Sequence, residues 1–161
     1  MAELSKATGL GRSSLYHYFP GGKEDMARAT LERLGEWVNT HLLQPLRGSG
    51  TPAERLDRLV VVLDALYASG RDACLLGTLV HGESRHLFQS QLRASFTAVI
   101  AAFADLVVES GVDPVIAQQR AEDAVMRIQG ALVLSGGLDD IAPFRRVIEH
   151  LSADLLQGRS N

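Results

Sequence analysis

The chain has 161 residues, 46% of them hydrophobic and 22% charged, with a formal net charge of −3. That length is ample for a buried core, and a single cysteine, Cys74, excludes an intramolecular disulfide framework and fits a reducing compartment. Mild acidity excludes a wholly basic nucleic-acid coat but leaves room for a local basic face. Apolar runs are short: 59–63 stops at Asp64 and 99–104 at Asp105, so no run approaches the roughly 20 residues of a membrane span. Glu3, Ser5 and Lys6 precede any apolar run, which is not the pattern of a signal peptide, and a cytoplasmic location is expected.

Helical periodicity recurs along the chain and strand-like alternation does not, so the expected fold class is all-α. Residues 2–25, AELSKATGLGRSSLYHYFPGGKED, place Leu4 and Ala7 inward on one short helix. Gly9 supplies a tight turn, and Leu15 with Phe19 forms the inner face of a second short helix. Two short helices about a glycine turn make a helix-turn-helix. The second helix leaves Arg12, Ser13, Ser14, Tyr16 and His17 outward, a face with hydrogen-bond donors and an aromatic ring but no carboxylate. Such a face suits phosphate oxygens and base edges in a major groove.

A long helix over 23–46 follows, carrying Met26, Leu31, Leu34, Val38 and Leu42 on one side. Arg47-Gly48-Ser49-Gly50 reads as a flexible break, which divides the chain into 1–47 and 48–161. Charge separates there too: the first part carries +1 and the second −4, with Glu3 the only acid in 1–23. After the break, Thr51-Pro52-Ala53-Glu54 has the form of a capping box, with a helix running to a stop at Gly70. Another stripe runs from Phe88 to Val107 and closes at Gly111. Asp113-Pro114 begins a further helix toward Gly136-Gly137, and a last one spans about 143–156.

The string from Ala7 to Phe19, continued by Pro20-Gly21-Gly22-Lys23-Glu24, resembles the signature of the tetracycline-repressor (TetR) family of transcription regulators. The resemblance is strong over about the first 45 residues. Beyond them it rests on a helical domain of suitable length, with Cys74-Leu75-Leu76-Gly77 and Gln129-Gly130-Ala131-Leu132 similar to the regulatory domain of one subgroup. It implies an N-terminal helix-turn-helix DNA-binding domain and a C-terminal helical ligand-binding and dimerisation domain.

Carried onto this chain, the resemblance implies a recognition helix bearing Arg12, Ser13, Ser14, Tyr16 and His17. Tyr16 and Lys23 would contact phosphate, with Thr8 at the edge of the turn a lesser contact, and the residues do not single out which side chain reads a base. It also implies a further helix before Met1. In the second domain, Trp37, Leu63, Tyr67, Leu79, Phe88, Leu92, Phe96 and Phe103 are candidates to line a cavity for a mostly apolar effector, against the alternative that they fill a core. Ala117, Ala121, Ala124, Ile128, Leu132, Val147, Ile148, Leu151 and Leu155, on the last two helices, are the candidate homodimer interface.

The function implied is an operator-binding regulator, most often a repressor, released by its ligand. Catalytic and metal sites are not expected, and no cofactor is. Cys74 has no base positioned beside it for nucleophilic chemistry, although a redox-sensing role stays open. His81 and His86 are five apart, which does not place them together on a helix face as a metal pair, and Glu83 does not change this. Asp139-Asp140 and Glu122-Asp123 read as solvated ends or faces.

Overall fold

The computed structural model describes residues 6, 9–82 and 85–157, with the backbone alone at Arg12. All regular elements among them are helical. In chain order they are α1 (Arg12–Tyr18), α2 (Lys23–Val38), a π-helical turn (Asn39–Leu43) with a last α-helical turn (Gln44–Leu46), α3 (Pro52–Leu66), α4 (Leu75–His81), α5 (Arg85–Glu109), α6 (Pro114–Leu138) and α7 (Ala142–Leu156). The chain forms two compact units, Met1–Glu36 and Trp37–Asn161.

In the first unit, Leu15 of α1 and Leu31 of α2 are buried. Phe19, expected on the inner face beside Leu15, is half-buried, while Leu4 and Ala7 lie outside the described residues. Phe19 closes α1 by donating its N–H to the Leu15 carbonyl at 2.9 Å. At the entry to α2 the Gly21 N–H donates to the Asp25 carboxylate at 2.6 Å.

The long helix expected over 23–46 is not one α-helix. Pro45 lacks an N–H, and its ring crowds the carbonyl four residues back, a clash that a locally widened turn relieves. The chain does this over Asn39–Leu43, where the Gln44 N–H reaches the Asn39 carbonyl. Leu42, Leu43 and Leu46 are buried, and this stretch packs on α3 and α5. The linker's end therefore belongs to the second unit, and the division falls before the glycine-serine break expected to mark it.

The second unit is a bundle in which α6 packs on α5 and α7, and α7 on α3. The capping box at α3 forms as expected: the Thr51 hydroxyl accepts from the Glu54 N–H, and Glu54 accepts from the Thr51 N–H at 2.8 Å. Asp113 caps α6 by accepting from the Val115 and Ile116 amides. Gly136 and Gly137 do not end α6. It continues to Leu138 and stops where Asp139 turns left-handed (φ 52°), with the Asp140 N–H returning to the Ser135 carbonyl.

Helices α6 and α7 form an antiparallel hairpin pinned at both ends. Near its turn, the Ser135 hydroxyl accepts from the Phe144 N–H. At the far end, Arg120 donates to the Leu155 and Leu156 carbonyls at 3.0 and 3.1 Å, and Arg127 pairs with Asp154 between them. A cation at the carbonyl end of α7 also complements its dipole.

Helix α5 keeps its uninterrupted apolar runs short, with Arg93 and Asp105 inside it, yet as a whole it is the most apolar helix by length and composition. It has 25 residues with a mean hydropathy of 1.5 over its best window, enough to cross a bilayer by that measure. Here its side chains Phe88, Leu92, Phe103, Leu106 and Val107 are buried inside the bundle.

Candidate DNA-reading face and effector cleft

On α1 the side chains of Ser13, Ser14, Tyr16 and His17 are exposed, and the helix carries no acid in its first turn. Tyr18, not counted among the reading residues, is also exposed and meets His17 edge to face at 5.7 Å. Tyr16 is half exposed, and its ring edge passes over Gly22, where a Cβ would stand 3.4 Å from Tyr16 Cε1. Lys23 opens α2 and is exposed. Glu24 and Asp25 behind it are engaged locally, by Arg28 and by the Gly21 amide. Thr8 and the Arg12 side chain lie outside the described residues.

The second unit holds a half-open cleft of about 780 Å³. One wall is α4 with the residues leading into it: Ala73, Cys74, Gly77, Thr78, Val80 and His81. The other is α6, through Val125, Met126, Gln129, Gly130, Leu132 and Val133, with Phe96 of α5 between them. The lining is predominantly apolar, with the Gln129 amide, the Thr78 hydroxyl and the His81 ring as its polar groups. The Thr78 hydroxyl is already committed to the Cys74 carbonyl at 3.1 Å. The Gln129 carboxamide lies against α4: a Cβ on Gly77 would come within 2.9 Å of its Oε1. A side chain at 77 would require the Gln129 carboxamide to turn aside.

Of the aromatic and aliphatic candidates, only Phe96 lines this cleft. Leu63, Phe88, Leu92 and Phe103 are buried in the core. Tyr67 packs edge to face on Phe144 at 5.7 Å; burial first and then Cys74 push its phenol well above the ordinary tyrosine range. Trp37 stacks on His41 at 4.6 Å in the linker, and Leu79 is half-buried beside the cleft. The missed lining residues carry a weak signal in sequence. The strings Cys74–Gly77 and Gln129–Leu132, noted for their family likeness, meet across this cleft.

The expected dimer residues also need correction. Ala117, Ala121, Ala124, Ile128, Leu132, Ile148, Leu151 and Leu155 are buried within this chain, and Val147 is half-buried. They are the seam between α6, α7 and the rest of the bundle, so their small size brings helices of one protomer together. The outward face of α6 is a different set: Gln119, Asp123, Met126, Gly130, Val133 and Gly137 are all exposed, at alternating spacings of four and three.

Residues 52–150 match the family profile described as "Transcriptional regulator LmrA/YxaF-like, C-terminal domain". That match spans more than half of the chain, which belongs to the TetR family of transcriptional regulators. Two Bacillus subtilis proteins are similar in sequence. The HTH-type transcriptional regulator LmrA is 26% identical over 70 residues, 44% of this chain and 37% of that protein. The uncharacterised HTH-type transcriptional regulator YxaF is 24% identical over 153 residues, 92% of this chain and 80% of that one. A TetR transcriptional regulator from Legionella pneumophila shares the fold with a TM-score of 0.83 at 18% identity, covering 94% of this chain and 83% of the other. Its relatives are regulators, not enzymes.

Proposed function

We propose that this regulator is a cytoplasmic, homodimeric repressor that binds operator DNA through α1 and is released by a small, mostly apolar molecule. The observation that carries the ligand half of this reading is the 780 Å³ apolar cleft in the unit matched by the family profile. The DNA half is supported by an exposed α1 face of Ser13, Ser14, Tyr16 and His17 with no carboxylate, and by Lys23 after it. Thr8 and Arg12 belong to the same proposed contact set. A homodimer formed through α6 and α7 gives two α1 helices, which a two-fold operator requires about 34–36 Å apart.

Release is a population shift. Ligand in the cleft favours an arrangement of the linker in which the two reading helices no longer match operator spacing. Moving occupancy from almost full to almost empty needs a differential affinity of about 10⁴, or roughly 5.5 kcal/mol. Binding of the chain to DNA flanking its own gene, followed by fluorescence anisotropy from low to high salt, tests this reading. Specific binding that weakens steeply with salt supports it, and indifference to sequence at every salt concentration refutes it.

A further inference from the structure

We infer that the molecule taken by the cleft is uncharged and carries a head that both accepts and donates hydrogen bonds, as an amide, lactam or carbamate does, and that Gln129 selects it. The inference rests on the proposal that the cleft takes the effector, and adds which chemistry it accepts.

Charge is the first filter. Among the described residues, no Asp, Glu, Lys or Arg lines the cleft. An ionised group carried into it sheds water and meets no counter-charge there.

Hydrogen bonding is the second. The Thr78 hydroxyl has spent its proton on the Cys74 carbonyl. The buried Cys74 thiol is a weak partner, and the exposed His81 has bulk water to turn to. Gln129 differs from all three. It is half-buried, and its carboxamide bonds to no other described residue. Val125 and Val133, one turn away on either side, are apolar and line the same cleft. In the open cleft, water serves this carboxamide. A ligand that fills the space expels that water, and a purely apolar one would leave a carbonyl and two N–H donors unsatisfied. A head with an acceptor beside a donor replaces both kinds of bond at once, and is itself satisfied in return.

Position is the third. A Cβ at residue 77 would stand 2.9 Å from Gln129 Oε1, whereas the next atom it would meet, Cys74 Cβ, is 3.7 Å away. The carboxamide therefore occupies the space that a side chain at 77 would take, and Gly77 is its positioning residue. Alanine at 77 crowds little besides the carboxamide and favours the helical conformation of α4. The selecting group can thus be misdirected without being removed.

The test titrates the full chain with fluorescent pyrene probes on one butyl stem: 1-pyrenebutyramide, methyl 1-pyrenebutyrate, 1-pyrenebutyrate and 1-pyrenebutylammonium. The methyl ester accepts hydrogen bonds but donates none. The ratio of amide to ester affinity, compared between variants, cancels the different hydration of the two probes. Gln129→Leu should lower that ratio about tenfold. Gly77→Ala should lower it severalfold in the wild-type background and not at all in Gln129→Leu. Both ions should bind wild type more weakly than the amide. Thr78→Trp fills the cleft and should abolish binding of every probe, with an unchanged circular dichroism spectrum. A ratio unaltered by Gln129→Leu, in a chain whose binding Thr78→Trp abolishes, overturns selection by Gln129 and leaves the effector cleft standing. Equal losses of amide and ester in Gly77→Ala overturn its positioning role, and an ion that binds as tightly as the amide overturns the uncharged class. No binding by wild type, or unchanged binding by Thr78→Trp, overturns the effector reading of the cleft and this inference with it.

Discussion

Arg55 and Glu109, 54 residues apart in sequence, form an ion pair whose two ends see different surroundings. The guanidinium is 5% exposed and the carboxylate 53%. Arg55 also donates to the Leu46 carbonyl at 2.9 Å, while its Nε–H has no partner among the described residues. One side chain of α3 thus ties the end of the linker to the end of α5.

This asymmetry predicts unequal costs. Glu109→Ala strands a buried cation and should destabilise the chain by about 2–3 kcal/mol. Arg55→Met removes that charge, keeps the apolar stem and frees Glu109 to water, costing about 1 kcal/mol. Urea denaturation followed by circular dichroism ranks them, and a larger loss for Arg55→Met would contradict this account.

Gly70 follows α3 at φ 96°, and a Cβ there would come within 2.6 Å of Phe144 Cβ. Phe144 is wholly buried and cannot yield. Gly70→Ala should therefore cost about 2–3 kcal/mol, from backbone strain and overpacking together. Gly111, at φ 93° with no atom within 4 Å, isolates the backbone part. Gly111→Ala should cost about 1 kcal/mol, and equal melting temperatures for the two variants would refute the packing contribution.

Two substitutions separate charge from orientation in the proposed DNA contact. Lys23→Gln should lower the slope of log affinity against log salt by about one unit. Tyr16→Phe should weaken binding while leaving that slope unchanged, because a hydroxyl–phosphate bond displaces no counterion. Anisotropy titrations at several salt concentrations read both, and an unchanged slope for Lys23→Gln removes Lys23 from the contact set.

The capping box makes stability depend on acid. The Thr51 backbone N–H, then its hydroxyl, hold the Glu54 carboxyl below its ordinary value of 4.5, with Arg58 adding to the effect. A depressed folded-state pKa means that this contribution is present above about pH 4.5 and is lost as pH falls through the lower, folded value. Glu54→Gln keeps an acceptor but no titrating charge. The melting-temperature gap between wild type and Glu54→Gln should narrow from pH 7 into that acidic range. A gap independent of pH would rule out the mechanism.

Local signals were readable because they close within a few residues. Thr51 with Glu54, and Asp113 with the amides of Val115 and Ile116, each close within four residues. The π-helical turn was hidden because Pro45 reads equally as a kink, a break or a widened turn until its neighbours pack. The candidate dimer residues other than Val147 are buried within one chain for a general reason. Helical spacing of Ala117, Ala121, Ala124 and Ile128 shows that a face is buried, not which chain buries it. The outward series from Asp123 to Gly137 is less apolar and leaves no comparable stripe in the sequence. The cleft joins residues 73–81 to 125–133, a pairing that no local pattern encodes.

Helix α5 has one more consequence, for synthesis. The ribosome releases this apolar rod, about 37 Å long, before either of the two helices that complete its coat. Until α6 and α7 follow, the nascent chain offers a segment that a bilayer, a chaperone or another unfinished copy would accept. Versions cut short after α5 should accordingly be lost to aggregates or membranes, because α6 supplies most of the packing that covers it.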